Sequence, residues 1–429
     1  MHRTPVLFVA AAIASAMPTG CATLTTAPAA LDASHLAAGT RESGSPPAYA
    51  RLYSFQGGKD GRAPQAGLVA SNGTLYGTTS ADGLPGNDCY EGGCGTIFAF
   101  TPPATEHVLY RFKGSPDAAS PFASLLLLNG SFYGTTESGG TDGCSPANSC
   151  GAVFTITKAA AESVVYAFEG GQSGGLPVAP LVEVAGTLYG TTQAGGEASC
   201  GCGTVFSLTP SGTENVLHQF AGKTDGATPE AGLLYADGAF YGTTVYGGNS
   251  GCPGLDSDTC GTVFKITGAG QYTQLYRFKN VQDAWGPQAP LIDVNGTLYG
   301  TSVSGGSGSC FSQGCGTVFA ITSSGEERIV YSFKGGADGR YPYAGLTYVD
   351  GKLYGTTIEG GTGENGTLFS VTPSGKESVL YNFLGGSDGS APTGTLLYEN
   401  GRLYGVTGSG GVKGANCPYG CGTIFRWTL

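Results

Sequence analysis

Positive charge is scarce in this chain. It carries 20 Lys and Arg against 31 Asp and Glu, a formal net charge of −11, with no basic cluster. Nucleic acid and anionic lipid surfaces are therefore poor partners, because both are held by clustered cations. Histidine is scarcer still: of four, His2 and His35 lie near the N-terminus, and His107 and His218 fall in or beside runs that read as outer strands. Without a histidine on the face read below as the binding face, Ser-His and Cys-His nucleophilic schemes lose their base, and no catalytic residue is assigned. Long apolar runs are lacking too. The longest at the N-terminus, Val6 to Met17, is too short to span a bilayer as a permanent helix.

Glycine (76), phenylalanine (20) and tyrosine (23) are abundant instead. That is the composition of a turn-rich all-β protein, since a disordered chain lacks the aromatic residues that build a core. The pattern confirms it. Leu75-Tyr76-Gly77-Thr78-Thr79 returns six more times, around Tyr133, Tyr189, Tyr241, Tyr299, Tyr354 and Tyr404. A period of 50 to 58 residues marks a repeat architecture.

The frame around the motif is rigid. Phe55, Phe112, Phe168, Phe220, Phe278, Phe333 and Phe383 are each followed by Pro 9 residues later, and the motif Tyr comes 12 residues after that Pro. Each copy holds four strand-like runs. A run after the Pro leads into an Asn-Gly, Asp-Gly or similar turn, which supplies the positive φ angles of a two-residue hairpin. The Leu-Tyr-Gly motif follows, then Gly-Thr-Val-Phe, then Leu-Tyr-x-Phe. Seven copies of four short antiparallel strands predict a seven-bladed β-propeller. The chain starts on a fourth-type run (Leu52 to Phe55) and ends on a third-type run (Thr423 to Trp427), so an N-terminal outer strand is expected to complete the C-terminal blade. An open β-solenoid is the alternative, but solenoids rarely carry four hairpin-linked runs per repeat. The repeated tyrosines read as blade-packing residues, with a ligand-stacking ladder as the competing interpretation.

The pairing of Leu-Tyr-Gly-Thr-Thr-x-x-Gly-Gly with Gly-Cys-Gly-Thr-Val-Phe resembles the GloVer tandem repeat of exported bacterial proteins, and the likeness covers all seven copies. The resemblance implies surface or periplasmic placement, by an anchor that differs between members. It brings no established activity and no catalytic residues.

Residues 1–20 read as a secretory signal peptide, with His2 and Arg3 ahead of the apolar run. Pro18-Thr19-Gly20-Cys21-Ala22 resembles a lipobox with Pro18 where Leu is usual, so Cys21 is expected to be lipidated; ordinary cleavage nearby is the alternative. Residues 21–49 then form a lipid-anchored flexible tether and residues 50–429 the propeller. The anchor would be the only membrane contact, and a monomer is expected.

The other twelve cysteines pair locally in the loop between second and third runs: Cys89 with Cys94, Cys144 with Cys150, Cys200 with Cys202, Cys252 with Cys260, Cys310 with Cys315, and Cys417 with Cys421. The intervals hold 4, 5, 1, 7, 4 and 3 residues, a variation that disulfides tolerate and metal sites do not. Cys200-Gly201-Cys202 has the tightest spacer and reads as a strained bridge, with a redox-active pair as the alternative. The sixth copy has a short loop and no cysteine.

Strand alternation puts these loops on the same face as the blade-to-blade connections. There Asp60, Asp117, Asp225, Asp283, Asp338 and Asp388 recur five residues after the Phe, with Ser173 breaking the series. They offer either a ring for calcium, a cation or a sugar, or ordinary Asp-Gly turn chemistry. Tyr90, Phe122, Tyr246, Trp285, Phe311, Tyr341, Tyr343 and Tyr419 are variable neighbours suited to stacking on sugar rings. The sequence thus predicts a non-enzymatic propeller whose loop face binds a glycan, peptide or protein. A carbohydrate-active or lyase-type enzyme using loop-face carboxylates, or a structural envelope protein, are the alternatives; no cofactor is required, with calcium the one ion considered.

Overall fold

The computed structural model describes residues 48–429 except 84–88, 90–92, 104, 141–149, 197–199, 249–259, 311–312 and 415–416. The signal segment, Cys21 and most of the tether lie outside the described residues, as do Tyr90, Cys144, Cys252 and Phe311.

Seven antiparallel sheets form the seven blades of an all-β propeller. In blade 1 the strands run Val69–Ser71, Thr74–Thr79, Thr96–Thr101 and Thr105–Arg111, from the axis outward. Blades 2 to 6 repeat that order, beginning at Leu126, Val182, Leu234, Ile292 and Thr347. Blade 7 consists of Leu397–Glu399, Arg402–Ser409 and Thr423–Thr428, and Tyr49–Ser54 pairs antiparallel with the last of these as its outer strand. Blades 1 and 7 also meet at the axis, where Gly67 packs against the backbone of Thr395.

The Gly of the repeated motif is dictated by its cross-strand partner. Gly77 lies opposite Phe98, and a Cβ on Gly77 would sit 2.6 Å from the ring's Cζ. The same holds at Gly134, Gly190, Gly242, Gly300, Gly355 and Gly405, with 2.5 to 2.7 Å to Phe154, Phe206, Phe264, Phe319, Phe369 and Phe425. Each of these fully buried rings receives the edge of a Phe from the preceding blade: Phe55 on Phe98, Phe112 on Phe154, and so on round to Phe383 on Phe425, with centroids 5.0 to 5.3 Å apart. Such edge-to-face pairs contribute about 0.5–1.5 kcal/mol each beyond their burial. The invariant spacing in the sequence is therefore the spacing of an inter-blade aromatic girdle. The motif tyrosines belong to the same packing; Tyr241, for example, is 1% exposed.

Candidate functional site

On the loop face, the connection entering each blade pairs with the start of that blade's variable loop. Examples are the bridges Arg62 to Ala81, Ala227 to Tyr246 and Arg340 to Glu359, and the short ladder Ala284–Trp285 on Ser304–Gly305. Four disulfides brace these loops: Cys89–Cys94, Cys200–Cys202, Cys310–Cys315 and Cys417–Cys421. Cys150 and Cys260 are also disulfide-bonded. Such bridges belong to oxidising compartments.

The second cysteine has a further role. Its carbonyl accepts the backbone N–H of the residue before the next blade's Pro, as from Ala63 to Cys421, Ser120 to Cys94 and Thr228 to Cys202, at 2.8 to 3.0 Å. Those pre-proline residues are in the left-handed region although six of seven are not glycine: Ala63, Ser120, Leu176, Thr228, Tyr341 and Ala391 have φ between 53° and 60°. That conformation costs about 1–2 kcal/mol per residue, and the braced loop holds it. In blade 6, Asn365 stands in the cysteine's place. Its carbonyl accepts from Ala391 at 3.0 Å, and its side-chain oxygen accepts from Ser390 Oγ at 2.8 Å.

The aspartates of the sequence series are engaged in their own turns. Asp60, Asp117, Asp225, Asp283, Asp338 and Asp388 each accept the backbone N–H four residues earlier, at 2.6 to 3.0 Å. Each also accepts from the side chain seven residues earlier, a tyrosine in five cases and His218 in the sixth. Turn chemistry thus accounts for the series. The next blade adds a group at the position six residues before its outer Phe: Glu106, Glu162, Glu214, Glu327 and Glu377, or a tyrosine at 49 and 272. Burial first, then the facing Asp60, pushes the Glu106 carboxyl up to about 8. Burial and Asp117, Asp283 and Asp338 bring Glu162, Glu327 and Glu377 to about 7. Where tyrosine replaces glutamate it stacks on the preceding blade, Tyr49 on Tyr381 and Tyr272 on His218, and donates to an Asp carbonyl.

A different set of residues breaks the repeat symmetry. The residue after each buried Pro is partly exposed and lies between two buried positions: Gln65, Phe122, Val178, Glu230, Gln288, Tyr343 and Thr393. Glu230 of blade 4 accepts from Gln193 Nε2 of blade 3 at 2.7 Å and hydrogen-bonds Gln288 of blade 5. It also feels Glu137 of blade 2, while Tyr343 of blade 6 feels Glu230. Only a side chain at the axis reaches four other blades, so this ring lines the mouth of the central channel on the loop face. Burial, reinforced by Glu137 and opposed by the two amides, raises the Glu230 carboxyl to about 7. Tyr343 is 39% exposed, yet its phenol is pushed up to about 12, by burial first and then by Glu230, Tyr246, Glu359 and Tyr341.

Of the sequence candidates, Tyr343 and Tyr341 stand at this mouth. Tyr341 lies under the Arg340 guanidinium, 5.8 Å from its ring centroid. Trp285 corrects the expectation of an exposed stacking surface: it is 9% exposed, because its ladder pairing with Ser304 turns it into the core beside Tyr241 and Phe278. Glu230, Gln193 and Gln288 were not singled out from the sequence. The available signal was the column after the invariant Pro, where the seven copies hold six residue types. Among the described residues, no group of three or more His, Cys, Asp or Glu is arranged to hold a metal ion.

No curated protein matches the chain. Solved structures share the propeller fold at low identity. Puromycin hydrolase aligns with a TM-score of 0.50 and 10% identity over 80% of this chain, which spans half of that enzyme's length. A GH74 enzyme of Niastella koreensis (TM-score 0.49, 12% identity, 84% of this chain and 53% of that one) and the GH93 alpha-L-arabinofuranosidase of Fusarium graminearum (0.48, 12%, 89% and 99%) are similar. The model of the Gloeobacter/Verrucomicrobia repeat matches residues 42–255 and 309–429. With most of its length matched, the chain belongs to the Gloeobacter/Verrucomicrobia repeat family.

Proposed function

We propose that this protein is an exported, lipid-anchored propeller that binds a glycan, peptide or protein at the loop-face mouth of its channel, without turning the ligand over. The observation that carries this reading is the ring of partly exposed side chains after the seven buried prolines, which differ among blades while the frame around them is invariant. A purely structural ring has no need of that diversity. The disulfides and the signal-like N-terminus support export, and Cys21 supplies the anchor. Binding of the purified protein to a glycan and peptide array tests the reading. Signals unchanged by Tyr343→Ala together with Gln288→Ala would remove the mouth as the site. Metabolic labelling with a fatty acid, lost in Cys21→Ser, tests the anchor.

One observation favours a second reading, a carbohydrate-active enzyme. Glu230 is a carboxyl of near-neutral proton affinity with no counterpart in the other blades, which is the property required of a general acid. Turnover of any oligosaccharide that disappears in Glu230→Gln would establish it.

A further inference from the structure

We infer that the Cys200–Cys202 bridge is a thiol–disulfide exchange site on the loop face, opened by a dithiol at the exposed sulfur of Cys200 and assisted by the cation of Lys223. The inference holds whatever the channel mouth binds.

Exposure singles this bridge out. Among the described cysteines Cys200 alone is exposed, whereas both members of Cys310–Cys315 and of Cys417–Cys421 are buried. An attacking thiolate needs a sulfur it can reach, and exposed bridges are the labile ones. Only Gly201 separates the two cysteines, and neither lies in a strand, so opening the bridge dismantles no blade.

A second departure from the repeat lies against the same bridge. Gly222, in the connection to blade 4, packs on it: a Cβ there would stand 3.0 Å from Cys202 Sγ and 3.5 Å from Cys200 Sγ. The residue that follows is glycine in four other connections, Gly58, Gly171, Gly336 and Gly386, at φ 54° to 60°. Here it is Lys223, at φ 50°. All five carbonyls accept the same backbone bond from the loop of the blade they enter, at 2.5 to 2.7 Å, so that role needs no side chain. A residue other than glycine is disfavoured in this region, and such outliers gather at functional positions. Lys223 is exposed, and among the described residues no carboxylate pairs with it. Asp225 nearby is held by His218 and the Ala221 N–H. An uncommitted cation next in chain to the residue that touches both sulfurs favours a departing thiolate.

The exchange balances with the dithiol as the only other reactant. One of its thiolates bonds Cys200 Sγ as the Cys200–Cys202 bond breaks, and Cys202 leaves with the electron pair and takes up a proton. The second thiol then attacks its own partner in the mixed disulfide and expels Cys200, which is protonated in turn. The protein gains two electrons and two protons, and the dithiol closes to a disulfide.

Redox titration of the full chain tests this, with dithiothreitol and glutathione buffers as separate probes and each bridge read by differential alkylation and peptide mass mapping. Cys200–Cys202 is expected to open at a reductant-to-oxidant ratio about tenfold lower than Cys310–Cys315 or Cys417–Cys421. Brief treatment with glutathione should leave its adduct on Cys200. Lys223→Gly, which restores the glycine of the other connections, should slow opening about threefold at low salt; Lys223→Arg should not, and high salt should remove the difference. Opening together with or after the other two bridges, or an adduct confined to Cys202, would overturn the inference. A rate unchanged in Lys223→Gly would overturn the role given to Lys223.

Discussion

The backbone N–H of Ala391 donates to the carbonyl of Asn365 across 3.0 Å, the bond that in the other six blades ends on a cysteine carbonyl. Blade 6 thus keeps the brace without the disulfide. Asn365 Nδ2 bonds the Gly363 carbonyl and Oδ1 accepts from Ser390, so its side chain ties the short loop to the next connection. Asn365→Ala is expected to destabilise by about 1–2 kcal/mol, read as a lower denaturant midpoint. The deficit should persist under reducing conditions, where the disulfides no longer contribute.

The disulfides themselves should be complete in protein made in an oxidising compartment. Mass spectrometry without reductant is expected to find no free thiol among the twelve loop cysteines. Each small ring contributes roughly 2 kcal/mol in the chain-entropy model, so reductant should lower the midpoint. Twelve free thiols would contradict the bonded pairs.

Acid should stabilise the ring. Glu106, Glu162, Glu327 and Glu377 have folded pKa values of about 8, 7, 7 and 7, raised by burial and by Asp60, Asp117, Asp283 and Asp338. Arg111, Lys113, Lys279 and Lys334 oppose those shifts. Because the folded values lie above the unfolded one, the folded state binds more protons. The stabilisation is full below about pH 4.3, the unfolded value, and is lost as pH rises through 7 to 8. Thermal melts should therefore show Tm falling between pH 5 and 8.5. Replacing all four residues by Gln should flatten that slope; an unchanged slope would place the titration elsewhere.

The aromatic girdle should resist a single methyl group. In Gly300→Ala the new Cβ would meet Phe319 Cζ at 2.5 Å, and the ring is enclosed by Leu291 and Phe278. A loss of about 1–3 kcal/mol is expected from overpacking, recovered in part by adding Phe319→Leu. An alanine variant as stable as the parent would mean that blade 5 relaxes far more easily than its packing indicates.

Those residues also show what was legible in the sequence. Gly300 and Phe319 recur at fixed spacing because every blade solves the same packing problem, so the fold could be counted from the chain. Asp283 was legible as a turn residue for the same reason. Its inter-blade partner Glu327 was equally periodic, but only the structure shows that it faces Asp283 from the next blade. Glu230 was illegible by that method. Its meaning depends on Gln193, Gln288, Glu137 and Tyr343, brought together from four other blades by ring closure, and periodicity hides what occurs once.

The pairing of Tyr49–Ser54 with Thr423–Thr428 sets the timing of assembly. Tyr49, whose hydroxyl reaches the carbonyl of a residue 339 positions away, leaves the ribosome long before any of its neighbours exists. For that interval the outermost strand of blade 7 has no template. Contacts of such sequence separation form late and slowly. The six preceding blades can be made in order, but the final sheet waits for Thr423–Thr428. A chain shortened at its C-terminus therefore loses more than one strand: it frees a second at the other end, with a complete row of backbone donors and acceptors unpaired.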